Sequence, residues 1–311
     1  MKNKTLFIIV ILLFFQTYNI ISQEQNKNSV DDDHKDKCIL PFSFGDTPET
    51  CHLPIFVVKI NGESFKFSID TGGLENIIFE SGLEKFHVSY QENIPTKNSI
   101  INFLVSLLNI KTNTYVNCSV ELFQIENLAI QNLDLKYSSL NYPIPGIDAI
   151  LCLAAFKNTR SVIIDYKNKV FVFNDSIYER NEFPIYTEHN RYYIKGIIED
   201  NQVNCLLDNG AANVLVFDKK YFPKQYTKEV VNISTLNGIS NYSVDKAKHL
   251  DLQLNQNQAY RGECFFVDNT FNNNNRINSL FRYDAFLGKP FFDKYVVFID
   301  LYRMKCMLKS N

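Results

Sequence analysis

Twice in this chain an apolar strand runs straight into an acid and then a glycine, and the two copies lie 138 residues apart. In the first, Phe65, Phe67 and Ile69 alternate with Lys66 and Ser68, the period of two expected of a half-buried strand, and Asp70-Thr71-Gly72-Gly73 follows. In the second, Val203-Asn204-Cys205-Leu206-Leu207 leads into Asp208-Asn209-Gly210-Ala211. A carboxylate that closes a buried strand loses solvation, so it must be paired, hydrogen-bonded or shifted in pKa. Glycines placed directly after it permit a tight turn and the close approach of another segment.

The match extends both ways at the same offset, with Ile60 over Ile198 and Ile77-Ile78-Phe79 over Leu215-Val216-Phe217. A second shared block closes each half. Gly146-Ile147-Asp148-Ala149-Ile150-Leu151-Cys152-Leu153 leads to Val162-Ile163-Ile164-Asp165, and Tyr283-Asp284-Ala285-Phe286-Leu287-Gly288 leads to Val297-Phe298-Ile299-Asp300. Two motifs in the same order, repeated twice, make a tandem repeat of one domain.

These motifs resemble the aspartic protease superfamily, in its retropepsin-like class, with two such domains in one chain over roughly residues 53 to 309. The resemblance implies a mainly β fold of two pseudo-symmetric, closed β-barrel lobes with a cleft between them, the pepsin-like bilobal arrangement. It implies an endopeptidase in which Asp70 and Asp208 are the catalytic pair, supported by Thr71, Gly72, Asn209 and Gly210, with a peptide or protein substrate and no cofactor. Family position makes Asn98 to Ile110 the first flap, although its apolar spacing fits a helix equally well. Ile233 to Tyr242, with strand residues around Asn237-Gly238, reads as a second flap hairpin and makes Ser240 and Tyr242 candidates to touch substrate.

The sequence departs from the family at three points. Asn209 stands where Thr or Ser is expected, Cys152 stands where the second lobe keeps Gly288, and the first flap lacks glycine. Cys152 is therefore expected to press on the Asp70 loop. Two alternatives stay open: a degenerate member that binds peptide without cutting it, and a homodimer working through the Asp70 lobe alone. The leading expectation is a monomer with two lobes.

Lys2 and Lys4 followed by the apolar run Leu6 to Phe15 read as a secretory signal over residues 1–22, which implies a secreted or periplasmic protein. Ten apolar residues are too few to span a bilayer, which fits a cleaved signal, with an uncleaved N-terminal anchor as the alternative; no membrane contact beyond this segment is expected. A polar linker over 23–52 follows, then lobes over 53–177 and 185–311 joined by a linker over 178–184. Asp31-Asp32-Asp33-His34 has no apolar surroundings to hold metal ligands in place, and no pair among the seven cysteines is spaced C-x-x-C, so no metal is expected. Cys38 and Cys51, flanking a proline-containing loop, are the expected disulfide, and Cys205 reads as a small core hydrophobe. With 32 basic and 34 acidic residues and no basic patch interleaved with aromatics, nucleic acid is not an implied partner.

Overall fold

The structure, a computed structural model, describes residues 37–48, 50–60, 62–86, 116–137, 144–175, 181–235, 238–255, 258–267 and 283–311. The signal segment, the Asp31–His34 cluster, the Asn98–Ile110 stretch and the asparagine-rich stretch after Asn269 lie outside them. The first half runs β1 (Cys38–Pro41), β2 (Ser43–Phe44), β3 (Pro54–Ile60), β4 (Glu63–Asp70), β5 (Ile77–Ile78), helix α1 (Glu80–Phe86), β6 (Val116–Ile125), β7 (Leu128–Tyr137), β8 (Ala149–Cys152), β9 (Ser161–Asp165) and β10 (Val170–Phe173). The second half opens with β11 (Phe183–Pro184), β12 (Tyr186–Glu188), β13 (Arg191–Ile198), β14 (Asn201–Leu207) and β15 (Leu215–Val216). It continues through β16 (Thr227–Thr235), β17 (Gly238–Asn255), β18 (Gln258–Phe266), β19 (Ala285–Leu287), helix α2 (Lys289–Lys294), β20 (Tyr295–Asp300) and β21 (Lys305–Ser310).

The repeat seen in sequence is a repeat of topology. One sheet has the order β2-β3-β4-β8-β5-β7-β6 and another contains β13-β14-β19-β15-β18-β17, so strand for strand the last six of the first match the second. The signs agree as well. Each acid strand pairs parallel with the strand of its closing block, β4 with β8 and β14 with β19, and β5 and β15 then pair antiparallel to those strands. A third, six-stranded sheet joins the halves through β9 and β20, with Ile163 opposite Phe298.

Alternation decides which residues fill the core. Phe65, Phe67 and Ile69 on β4 are buried while Lys66 is exposed, and Phe67 stacks on Phe56 of β3. Fully burying a side chain of this size is worth about 1.5–3 kcal/mol, and one apolar cluster runs through both halves from Cys38 to Leu308. The acids of the second block clamp the acid strands. Asp148 donates its N–H to Lys66 O (2.7 Å) and accepts from Lys66 N at Oδ2 (2.8 Å). Asp284 repeats this on Asn204, at 2.9 and 2.8 Å. Each clamp grips the strand four residues ahead of its terminal acid, which fixes where that acid emerges.

Several expectations are corrected. The fold is mainly β and bilobal as expected; in the second lobe the β13–β17 pairing joins the two ends of β13-β14-β19-β15-β18-β17, whereas among the described residues no pairing of β3 with β6 closes the matching strands of the first lobe. The stretch read as a linker ahead of Leu53 contains β1, paired to β10, with Leu40 and Phe42 in the core. Phe183 and Pro184, read as interlobe linker, pair with Cys306 and Lys305. Cys38 and Cys51 are both free thiols, the first buried with Sγ toward Ile125 O and the second exposed toward Pro48 O. Position on a strand, with Cys38 opposite Phe173, turns the Cys38 side chain inward and away from the loop.

Candidate active site

β4 ends at Asp70 and β14 ends at Leu207, one residue before Asp208, and the two halves bring these acids together. Their carboxyls are half-buried and hydrogen-bond one another. Each glycine of the repeated motif makes space for the carboxyl of the opposite half. A Cβ on Gly72 would stand 2.4 Å from Asp208 Cγ, and one on Gly210 would stand 2.7 Å from Asp70 Cγ. The Gly72 N–H also donates to Asp70 Oδ1 at 2.9 Å.

Beneath the carboxyls, Thr71 and Asn209 lock the halves together. The Thr71 hydroxyl accepts from Asn209 N (3.0 Å) and donates to Leu207 O (2.7 Å). Asn209 returns both bonds with two atoms instead of one: Oδ1 accepts from Thr71 N (2.7 Å) and Nδ2 donates to Ile69 O (2.8 Å). The partners fix the amide orientation, because an N–H only donates and a carbonyl only accepts. Asn209, a departure in sequence, therefore reproduces the cross-lobe bonding of a hydroxyl residue, and it is fully buried. Asn209→Ala is expected to destabilise the protein by about 2–4 kcal/mol, since it strands a buried N–H and a buried C=O. Urea unfolding of the two proteins measures this, and Asn209→Thr is expected to lose much less.

Cys152 is also accommodated. Its N–H donates to Asn76 Oδ1 at 2.9 Å, with Sγ 3.1 Å from the same oxygen. Gly73 stands where the second half has Ala211, and a Cβ there would come within 3.3 Å of Cys152 Cβ, so the missing side chain leaves the thiol its space. In the second half the backbone closes in instead, and a Cβ on Gly288 would fall 2.1 Å from Asn213 O.

Burial raises the Asp208 carboxyl well above the usual carboxylate range, and the charge of Asp70 raises it further. Burial raises Asp70 too, against the Gly72 N–H, the Arg191 charge and the hydrogen bond from Asp208. The pair thus favours holding a proton, with the stronger upward push at Asp208. A carboxyl with a raised folded pKa binds its proton more tightly in the native state. Its stabilising contribution is whole below the unfolded value of about 3.9 and is lost as pH rises through the folded one. The Tm of Asp208→Asn relative to wild type is accordingly expected to climb by a few degrees between about pH 4 and pH 7. A difference that stays flat over that range contradicts this placement of the proton.

Two neighbours of the pair escaped the sequence reading. His52 lies against the second lobe with Nε2 2.9 Å from Gly210 O, so Nε2 carries the hydrogen, and Nδ1 is buried with no hydrogen-bond partner among the described residues. Burial lowers its pKa. Arg191, at the start of β13, is 4% exposed and feels the charges of Asp208 and, more weakly, Asp70. The repeat offset, which sets Leu53 over Arg191, was the available signal. Ser240 and Tyr242 lie on β17 opposite Ile233 and Val231, in the expected hairpin. Among the described residues no cluster of His, Cys, Asp or Glu is arranged to hold a metal ion.

No protein-family model and no curated protein matches the chain. Among solved structures it is similar to the basic 7S globulin from soybean, at 10% identity and a TM-score of 0.50, over 89% of this chain and 96% of that one. Conglutin gamma, a basic 7S globulin from lupine seeds, gives 11% identity and a TM-score of 0.48 over the same shares. A retropepsin-like aspartic protease from Rickettsia conorii gives 10% identity and a TM-score of 0.28 over 44% of this chain and 89% of that one. The soybean likeness establishes the shared two-lobed β fold and leaves the chemistry to the residues of the site.

Proposed function

We propose that this chain is an exported aspartic endopeptidase that hydrolyses peptide bonds with Asp70 and Asp208. The observation that carries the proposal is the meeting of two half-buried carboxyls, each packed against the motif glycine of the other half. Ionised Asp70 takes a proton from a water attacking the scissile carbonyl, and protonated Asp208 donates a hydrogen bond to the carbonyl oxygen as negative charge develops there. The backbone N–H of Gly72 donates to Asp70 and favours its charged form against the effect of burial. Thr71, Gly72, Asn209 and Gly210 hold the two carboxyls together. Ser240 and Tyr242, on the hairpin, are assigned to the substrate side of the cleft.

Pairing of the acids within one chain supports a monomer over a homodimer. The second reading, a cleft that binds peptide without cutting it, is favoured by the cation of Arg191 beside the pair, which pulls on the proton that catalysis needs. Digestion of a diverse peptide library by the full chain between about pH 3 and pH 7, read by mass spectrometry, separates the two. Cleavage is expected; a folded protein that binds peptides and cuts none of them supports the second reading instead.

A further inference from the structure

Arg191 is difficult to account for as a structural residue. The antiparallel register of β13 and β14 sets Tyr193 opposite Leu206, and continuing it by two residues sets Arg191 opposite Asp208. In the first lobe the register of β3 and β4 sets Ile55 opposite Ser68, which by the same step places Leu53 opposite Asp70. The fold therefore accepts a buried leucine at this place, and Leu53 packs there with Ile77 and Phe79. A buried cation instead of leucine costs several kcal/mol unless it is paired and hydrogen-bonded.

No such pairing exists among the described residues. Nε and Nη1 of Arg191 are buried without a hydrogen-bond partner. The guanidinium senses Asp208 and Tyr283, yet it makes no ion pair with either acid of the dyad. It therefore stands near the reacting carboxyls but apart from them, with two buried donors that no described protein atom meets. A guanidinium with unmet donors on its edges favours an anionic ligand, and a carboxylate can take an edge that pairs Nη2 with either Nε or Nη1.

We propose that Arg191 is a specificity-determining residue that binds a carboxylate of the peptide lying across Asp70 and Asp208, either an acidic side chain next to the scissile bond or the peptide's C-terminal carboxylate. This rests on the reading of the cleft as a peptide site but not on cleavage. Arrival of the carboxylate supplies the donors with acceptors and neutralises the cation, so a neutral isostere forfeits both.

The test is a binding measurement on the full chain with fluorescent peptides whose central bond is a non-cleavable reduced amide. Glu is compared with Gln at each position flanking that bond, and the free C-terminal acid with the amide. Wild type is expected to bind the acidic member about tenfold or more tightly at one position, and Arg191→Leu to bind both members alike. If the preference follows the C-terminus, the carboxylate is the terminal one; if it follows a Glu, it is a side chain. Equal binding of all pairs by wild type overturns the proposal and leaves the peptide cleft standing, as does an unaltered preference in Arg191→Leu. Failure to bind any peptide overturns the proposal together with the reading beneath it. Arg191→Lys, which keeps the charge without the fork, is expected to retain only part of the preference, and the wild-type comparison stands even if a variant does not fold.

Discussion

Asp70→Asn and Asp208→Asn are each expected to reduce peptide cleavage by about 10³-fold or more, the combined scale of losing a positioned acid or base and the partner that sets its proton affinity. The two changes fail for different reasons. An amide in place of Asp70 offers no base for the attacking water. An amide in place of Asp208 removes the acid that meets the developing oxyanion, and with it the proton the pair shares. Because the acids meet within one chain, loss in both variants is the expected result. Loss in Asp70→Asn alone, with Asp208→Asn active, points to a dyad formed between two copies. Equal activity in wild type and both variants removes the acids from the mechanism. The isosteric amides retain the space each carboxyl fills, so their unfolding midpoints serve as the control for structure.

The parts of this site that were legible in the sequence are those set by periodicity and offset. Phe65, Phe67 and Ile69 announce a strand by alternation, and a constant offset ties Asp70 to Asp208 whatever the loops between them do. What depends on partners across the lobes was not legible. Asn209 looked like a loss because its amide was weighed by residue type, whereas its two atoms meet Thr71 N and Ile69 O, groups 138 and 140 residues away. Asp148 and Asp284 were visible as repeated letters, but the reason for the repetition, a clamp on the backbone of Lys66 and Asn204, appears only with the strands in register. Cys38 and Cys51 illustrate the reverse error. Nearness in sequence suggested a bridge, and the inward pleat of a short strand at Cys38 forbids it. That strand was hidden by its polar upstream neighbours, although Leu40 and Phe42 keep the period of two.

The reciprocal glycines allow a test of the geometry that leaves every ionisable group in place. Neither Gly72 nor Gly210 has the left-handed backbone seen at Gly62 and Gly146, so an alanine at either position meets no conformational barrier. It meets the other lobe's carboxyl: the new Cβ would lie 2.4 Å from Asp208 Cγ at position 72, and 2.7 Å from Asp70 Cγ at position 210. Ordinary carbon contacts begin near about 3.5 Å, so the carboxyl or the loop must give way by about 1 Å. Displacements of that size cost on the order of 10²-fold in rate, and overpacking costs about 1–3 kcal/mol in stability. Gly72→Ala is therefore expected to cleave about 10²-fold more slowly at a temperature where it remains folded. Gly73→Ala, whose Cβ would stand 3.2 Å from Asp70 O, is expected to lose far less. Measuring kcat/KM beside the unfolding midpoint for both variants separates a disturbed dyad from a weakened fold. Wild-type activity in Gly72→Ala would mean that Asp208 does not approach the first lobe's loop as closely as this structure shows.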